Sequence, residues 1–292
     1  MDNKIKNISI KSIFNIAKIE YKKFIVNPRM IIILVMLIFI NDCAINPLLN
    51  HADKLGEKIN LLEPFIAVGN SKFLLLVIPS VFMLLMSDLP KSDGNTIFLI
   101  IRAGRINWLF GQITFSIMSI ASYIGMVFLG TIIPIIKIAF VSKSWSNVIT
   151  KYNNIFQEDS NSFSSMLITG NIYNQMNPIK AFTHTVFLTI LYLFVITLIL
   201  LLFYLLNLKF MGILINCLIM SLGSAFAFIE SNIMWIMPVV NSIISLHYSE
   251  IYKEPIVPIF QSYLYFFVLS LVLIITSLFM INRYNFSNIK ET

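Results

Sequence analysis

The chain has 292 residues, of which 58% are hydrophobic and only 12% are charged. A soluble domain averages about 25% charged residues, and half that density cannot cover a water-facing surface of this size. Apolar runs of roughly 20 residues recur, which is the length that one helix needs to cross a hydrocarbon layer of about 30 Å. These runs lack the alternation of barrel strands. The composition excludes a soluble protein and predicts an all-α integral membrane fold.

The chain begins with a basic amphipathic segment at 1–29. Between Ser9 and Asn27 the apolar residues recur at helical spacing, and the polar residues fall on the opposite face. The apolar positions are Ile10, Ile13, Phe14, Ala17, Tyr21 and Phe24, and the polar positions are Lys11, Asn15, Lys18 and Lys22. Such a helix is expected to lie in the headgroup plane rather than to cross the bilayer.

Six apolar segments within 30–283 predict six membrane-spanning helices. Their boundaries are about 30–45, 65–87, 109–137, 181–206, 210–228 and 259–281. Asn46-Pro47 is expected to open a polar loop after the first span. The connections include an inner loop at 88–108, a long polar outer loop at 142–180 and a tail at 284–292. Before the last span, the chain is half apolar and is interrupted by three prolines, Pro238, Pro255 and Pro258.

The distribution of Lys and Arg predicts the orientation of the chain. If the N-terminus is cytoplasmic, the inner segments hold thirteen basic and five acidic residues, and the outer segments hold eight basic and nine acidic residues. The inner side then carries +8 and the outer side −1. We therefore expect both termini to be cytoplasmic in a multi-pass protein of the cell membrane.

Sequence motifs for catalysis or nucleotide binding are absent from the chain. It contains no G-x-x-x-x-G-K-[ST] phosphate loop, no H-E-x-x-H and no G-x-S-x-G. His51, His184 and His247 lack metal-ligand spacing, and the pair Glu230 with His247 is the one nearby candidate for an intramembrane enzyme. We expect no enzyme activity, no metal and no cofactor in this chain.

Charged residues well inside the predicted spans are nearly absent. Such residues usually mark proton or ion pathways, so their scarcity disfavours a transporter that is driven by an ion gradient. If the chain moves a substrate uphill, the energy is expected to come from a partner protein.

The inner loop at 88–108 is the most informative segment. Asp93, or alternatively Asn95, is placed to cap a short helix. Ile97, Phe98 and Ile101 would form one apolar face of that helix, and Arg102 and Arg105 follow it. An apolar knob with cationic flanks suits a partner surface. The alternative is that Arg102, Arg105 and Trp108 anchor the third span at the membrane interface.

Three features together resemble the membrane subunit of a type-2 ATP-binding-cassette (ABC) exporter. They are the N-terminal helix with Lys18-Ile19-Glu20-Tyr21-Lys22-Lys23 and Asn27-Pro28-Arg29, the loop from Asp93-Gly94-Asn95-Thr96 to Gly111-Gln112, and six spans with a broken segment before the last. The resemblance implies that the N-terminal helix, here called the elbow helix, lies along the cytoplasmic interface. It also implies that the inner loop is a coupling helix, and that 233–245, with Trp235 and Pro238, is a re-entrant outer element.

The resemblance also implies a set of contacts with a separate ATPase. They fall on Glu20, Asn95, Ile97, Phe98, Ile101, Arg102 and Arg105. Two ATPase subunits, which hold the ATP and magnesium, would serve two permease chains paired across the first and fifth spans as a homodimer or a heterodimer. The expected cargo is amphipathic or lipid-like, with antimicrobial or secreted peptides as the first candidates, and no nucleic-acid partner is expected.

Two departures from the family pattern are visible. The outer loop at 142–180 is longer than the usual connection, and three roles are open for it: an outer cap, a substrate contact or variable decoration. Asp93 stands where related chains often have glutamate. The alternative function is a stand-alone channel or membrane sensor that has no ATPase partner.

Overall fold

The computed structural model describes residues 8–88, 90, 98, 100, 102–156, 167–250, 252 and 254–283. The described chain is predominantly helical. Its helices are α1 (Ile10–Ile25), α2 (Ile31–Ile40), α3 (Asn46–Leu55), α4 (Glu63–Asn70), α5 (Leu74–Met86), α6 (Arg105–Ile132), α7 (Asn147–Ile155), α8 (Gly170–Tyr173), α9 (Pro178–Leu205), α10 (Lys209–Ile229), α11 (Pro238–Asn241) and α12 (Ile259–Arg283). Two short strands, β1 (Ile59–Asn60) and β2 (Ala139–Phe140), pair in parallel.

Five helical stretches among the described residues are long and apolar enough to cross a membrane. They are Pro28–Leu55, Arg105–Ile135, Pro178–Leu205, Lys209–Ile229 and Ile259–Ile281. A sixth candidate consists of α4 and α5, which meet the criterion only as a pair and are bent by 83°. The described chain therefore holds five candidate crossings, or six if the bent pair is one span. The prediction of an all-α, multi-pass membrane protein is confirmed at this level.

The spans differ in how far they are enclosed by protein. In α9, 61% of the most apolar stretch is buried inside the protein, whereas in α12 only 22% is buried. The side chains that α12 leaves uncovered are large and apolar, among them Phe260, Phe267 and Phe279. In water this arrangement would be costly, but in a bilayer the surrounding lipid is itself apolar. α9 is thus the central helix, and α12 lies at the periphery.

The first span is longer than the sequence suggests. Helix α2 continues through a π turn, Asn41–Ile45, directly into α3. Asn46-Pro47 therefore does not open a loop, in contrast to the expectation. Proline lacks an N–H, and it is tolerated here because it lies at the start of a helical stretch, directly after a wider turn that interrupts the regular hydrogen-bond ladder.

The second span is broken at Ser71–Phe73. The sequence predicts one helix over 65–87, but α4 and α5 meet there at 83°. The Asn70 side chain donates to Thr185 Oγ1 and accepts from the amide of Ile244, each at 2.9 Å, and Ser71 Oγ accepts from the amide of Leu74 at 3.4 Å. Ser71 thus accepts a hydrogen bond from the first residue of α5, whereas Asn70 joins the end of α4 to α9 and to the segment before the last span. All residues of α4 are buried, so α4 lies inside the bundle.

Three connecting segments meet at one end of the bundle, which we call the cap end. They are 56–63, the described parts of 139–177, and 230–258. The opposite end, which carries α1, is called the elbow end. At the cap end, the buried Glu63 carboxylate accepts from the amide and hydroxyl of Ser146 at 2.7 and 2.8 Å and from the amide of Asn60 at 3.0 Å. Asn60 Nδ2 donates to the carbonyls of Ser142 and Ser144 at 2.9 Å.

The same long loop also holds the segment before the last span. Asn171 Nδ2 donates to the carbonyls of Ser245 and Tyr248 at 3.2 and 2.9 Å. Gln175 Nε2 donates to the carbonyls of Ser249 and Tyr252 at 3.0 and 2.8 Å. Of the three roles that the sequence left open for 142–180, its described parts form a cap that joins the other two cap-end segments.

Candidate partner-docking site at the elbow end

The elbow helix α1 packs along the first turns of α6. Gly111 permits the close approach, because a Cβ at this position would lie 2.7 Å from Ile16 Cγ2. The amide of Ser9 donates to Asn107 Oδ1 at 3.0 Å, and Asn107 Nδ2 donates to the carbonyl of Ala103 at 2.8 Å. These contacts fix α1 beside the residues that precede α6.

The elbow helix has three faces rather than the two that the sequence predicts. One face is buried against the bundle and contains Ile16, Ala17, Glu20 and Phe24. A second face exposes apolar side chains, Ile10, Phe14 and Ile25. The third face is polar and exposes Lys11, Asn15, Lys18 and Lys22. The predicted apolar face therefore divides into a part that meets protein and a part that is left uncovered.

A groove of about 640 Å³ lies between the polar face of α1 and the residues that precede α6. Its charged lining side chains are Lys11, Lys18, Lys22 and Arg102, and all four are exposed cations. Because the exposed apolar strip of α1 lies on a different face, the groove and the strip point in different directions. This arrangement gives the elbow end a concave basic surface that favours an acidic partner.

The described residues include only part of the predicted apolar knob. The Phe98 side chain is 72% exposed, whereas Ile100 is 5% exposed and belongs to a buried cluster with Ile16, Trp108 and Leu109. Ile100 thus anchors this segment to the bundle and Phe98 projects from it. The other predicted positions, Asn95, Ile97 and Ile101, lie outside the described residues.

The two predicted arginines have different surroundings. Arg102 is exposed and lines the groove. Gly104 then adopts a φ of +93°, a backbone conformation that glycine tolerates without strain, and α6 begins at Arg105. Arg105 is half-buried, and its Nη1 lies 3.5 Å from the carbonyl of Ile281 near the end of α12. The structure therefore brings only Arg102 to the groove.

Glu20, which the resemblance assigns to ATPase contact, lies on the buried face of α1. Its residue exposure is 0%, and its Oε1 accepts from Lys23 Nζ at 3.1 Å. In this conformation Glu20 does not face the groove. Its assignment stays a prediction, and the geometry gives it a supporting position inside the elbow.

The structure also shows a contact that the sequence pattern did not reveal. Arg29 Nη2 and Asp88 Oδ2 lie 2.7 Å apart, and Arg29 Nη1 donates to Ser87 Oγ at 3.2 Å. This ion pair joins the end of the elbow to the start of the inner loop across a sequence separation of 59 residues. The only sequence signal for this ion pair was that Arg29 and Asp88 carry opposite charges and lie at the ends of two predicted interfacial segments.

The predicted re-entrant residues lie at the opposite end of the bundle. Trp235 belongs to a 3₁₀ helix, Asn232–Ile236, and its ring centroid is 4.9 Å from that of His247. Pro238 is buried and begins α11. Residues 238–247 are all buried, so protein encloses this part of the segment. How deep the segment lies in a membrane stays a prediction.

Glu230 and His247, the candidate pair for an intramembrane enzyme, have separate partners. Glu230 accepts from Lys72 Nζ at 2.9 Å, whereas His247 Nδ1 lies 2.8 Å from the carbonyl of Val257 and its Nε2 lies 3.2 Å from Ser262 Oγ. Within the part of the chain that the structure describes, no group of three or more His, Cys, Asp or Glu side chains is placed to hold a metal ion.

Comparison with protein-family models, with curated proteins and with solved structures found no match to this chain.

Proposed function

We propose that this chain is the permease subunit of an ATP-driven exporter of the type-2 ABC class, and that a separate ATPase subunit docks at the elbow end. The observation that carries the proposal is the basic groove between α1 and Arg102, with the exposed Phe98 on the same loop. An exporter subunit that lacks a phosphate loop of its own would need a separate motor, and this surface combines the charge and the apolar contact that a motor would bind.

The groove suits a soluble partner better than the membrane. Ile10 and Phe14 on the uncovered apolar strip of α1 are 71% and 59% exposed, which suits acyl chains at the bilayer interface. With the strip in the interface, the polar face that lines the groove is turned toward water. The excess of Lys and Arg in the elbow-end segments favours a cytoplasmic location for this end. The chain would then lie in the cell membrane with both termini inside.

Docking would combine two kinds of contact. Phe98 supplies an apolar anchor, the type of residue that contributes much of the binding energy when it fills a pocket. The lysines and Arg102 supply long-range attraction, which raises the association rate and weakens with salt. Movement of the docked ATPase would reach the bundle through Ile100 and through the contacts of α1 with Gly111.

A second permease chain would pair through the face formed by α2, α5 and α10. Helix α5 contacts both α2 and α10, so the three helices are neighbours. They leave large apolar side chains uncovered, including Leu34, Ile38, Leu84, Leu214 and Leu218. This face includes the first and fifth spans, through which pairing is expected. The apolar wall suits an amphipathic or lipid-like cargo, with antimicrobial or secreted peptides as the first candidates, and the segment at 233–245 would form its re-entrant border.

Purification of the tagged full chain from its host membrane tests the docking site. We expect a protein with a phosphate-loop motif to co-purify with ATPase activity, and Phe98→Asp to abolish its recovery. Tyr252→Asp is the matched control, because Tyr252 lies at the cap end and is 71% exposed against 72% for Phe98. Recovery of the ATPase should also fall as salt rises, since screening weakens exposed charges.

Two outcomes would overturn the proposal. If no ATPase accompanies the intact chain, and the purified chain alone conducts ions in a bilayer, the protein is a channel. If the ATPase remains bound to the Phe98→Asp variant as firmly as to the Tyr252→Asp variant, the docking surface lies elsewhere.

A further inference from the structure

A second hollow lies on the membrane-facing side of the bundle, between α9 and α12. Its volume is about 540 Å³, and its lining is almost entirely apolar, with Leu191 and Phe194 on one side and Phe267, Leu271 and Ile275 on the other. Ser270 also lines it, and this small side chain between bulky neighbours leaves the space open. None of the residues named for the elbow groove takes part, so the two sites are separate.

The cap end of the hollow is polar. Tyr263 lines the hollow, and its hydroxyl lies 3.0 Å from His184 Nδ1. Lys180 is exposed and precedes His184 by four residues on α9, so both side chains project from the same face of the helix. A cation and two hydrogen-bonding groups therefore lie at the cap end of the apolar hollow.

We propose that the hollow binds one anionic phospholipid, with an acyl chain between α9 and α12 and the phosphate at Lys180, His184 and Tyr263. The proposal stands on the membrane topology and does not depend on an ATPase partner. It assigns the lipid to the leaflet at the cap end.

The length of the hollow favours a lipid chain as its occupant. Twelve residues separate Tyr263 from Ile275, which corresponds to about 18 Å along a helix. One leaflet contributes about 15 Å of hydrocarbon, half of the total thickness. An acyl chain whose head group lies at the cap end therefore reaches the bottom of the hollow.

A transmembrane helix from another protein fits the hollow less well. It would need a contact that continues across the whole bilayer, about 30 Å, whereas the hollow extends over about 18 Å. The one-leaflet length and the polar mouth at one end are features of a lipid site.

Native mass spectrometry of the purified full chain, titrated with phosphatidylglycerol or phosphatidylcholine of identical acyl chains, tests the proposal. We expect one phosphatidylglycerol to be retained in preference to phosphatidylcholine. Leu271→Trp, which fills the hollow, should weaken this binding about tenfold. Val272→Trp is the matched control, because Val272 is 49% exposed against 43% for Leu271 but does not line the hollow.

The head-group contact has its own test. Lys180→Gln should remove the preference for phosphatidylglycerol, whereas Lys151→Gln, at another exposed cap-end lysine, should keep it. Thermal melting of each variant in detergent shows whether it is folded. Equal loss of binding in the two tryptophan variants, or equal binding of the two lipids by the intact chain, would mean ordinary boundary lipid and would overturn the proposal. Neither outcome bears on the ATPase test.

Discussion

The two ends of the bundle are built on different principles. At the cap end, the buried side chains of Glu63 and Asn60 join two connecting segments through short hydrogen bonds, and Asn171 and Gln175 join the third. At the elbow end, lysines surround an open groove, and the Arg29–Asp88 ion pair is partly exposed. Buried polar groups are costly unless they are satisfied, so they fix one arrangement, whereas exposed charges remain available to a partner. The cap end is suited to holding a shape and the elbow end to binding.

Removal of the Glu63 carboxylate should give the largest effect. Glu63→Ala leaves three donors at the cap end without their acceptor, and a buried unsatisfied donor costs about 1–3 kcal/mol, so we expect a loss of at least ~3 kcal/mol. Thermal unfolding in detergent measures it. Glu57 accepts from Asn147 Nδ2 but is exposed. Glu57→Ala should therefore change stability by less than ~1 kcal/mol. Equal effects of the two substitutions would show that the cap does not depend on its buried carboxylate.

A methyl group at Gly111 should have an intermediate effect at the elbow end. Gly111→Ala places its Cβ against Ile16, and overpacking of this kind costs about 1–3 kcal/mol. Gly125 lies in the same helix with nothing within 4 Å of a Cβ, so Gly125→Ala should instead stabilise the helix by roughly 0.5–1 kcal/mol. Limited proteolysis measures the protection of the elbow helix in the two variants, and thermal melting measures their stability. If protease cleaves the elbow helix of the Gly111→Ala variant no faster than that of the wild type, the close packing of α1 on α6 is contradicted.

Loss of the Arg29–Asp88 ion pair should have the smallest effect. The two side chains are 43% and 46% exposed, and exposed pairs contribute about 0.2–1 kcal/mol. Arg29→Ala should lower stability within that range, and the difference from the wild type should shrink at high salt. A loss comparable to that of Glu63→Ala would remove the contrast between the two ends.

The sequence predicts the existence of the long apolar helices well, and the end of the first span and the break in the second poorly. Runs of apolar residues must be helical in lipid, so the five long helices follow from composition and length alone. The break at Ser71–Phe73 was not predicted, because the apolar pattern continues across it and the competing hydrogen bonds come from Thr185 and Ile244, which are distant in sequence. The continuation of the first span past Pro47 was missed because Asn-Pro usually signals a turn.

For the elbow end, the sequence predicted which residues form the basic face, but it did not predict which way each of the other charged side chains points. Helical spacing placed Lys11, Lys18 and Lys22 on one face, and the structure agrees. Spacing within α1 places Glu20 beside Ala17 and Phe24, but it could not show that this face is covered by α6, which begins 85 residues later. The separation of Arg102 from Arg105 likewise depends on Gly104, whose positive φ turns the chain between them.

The bend in the second span also bears on the surrounding lipid. Helix α5 has 13 residues and is therefore about 20 Å long, shorter than a hydrocarbon layer of about 30 Å. If the bent pair is one span, a crossing segment this short creates hydrophobic mismatch, which a bilayer relieves by thinning around it. Because α5 lies on the face between α2 and α10, the thinning would occur beside the proposed pairing face. An amphipathic molecule would there cross a shorter stretch of hydrocarbon than elsewhere in the membrane.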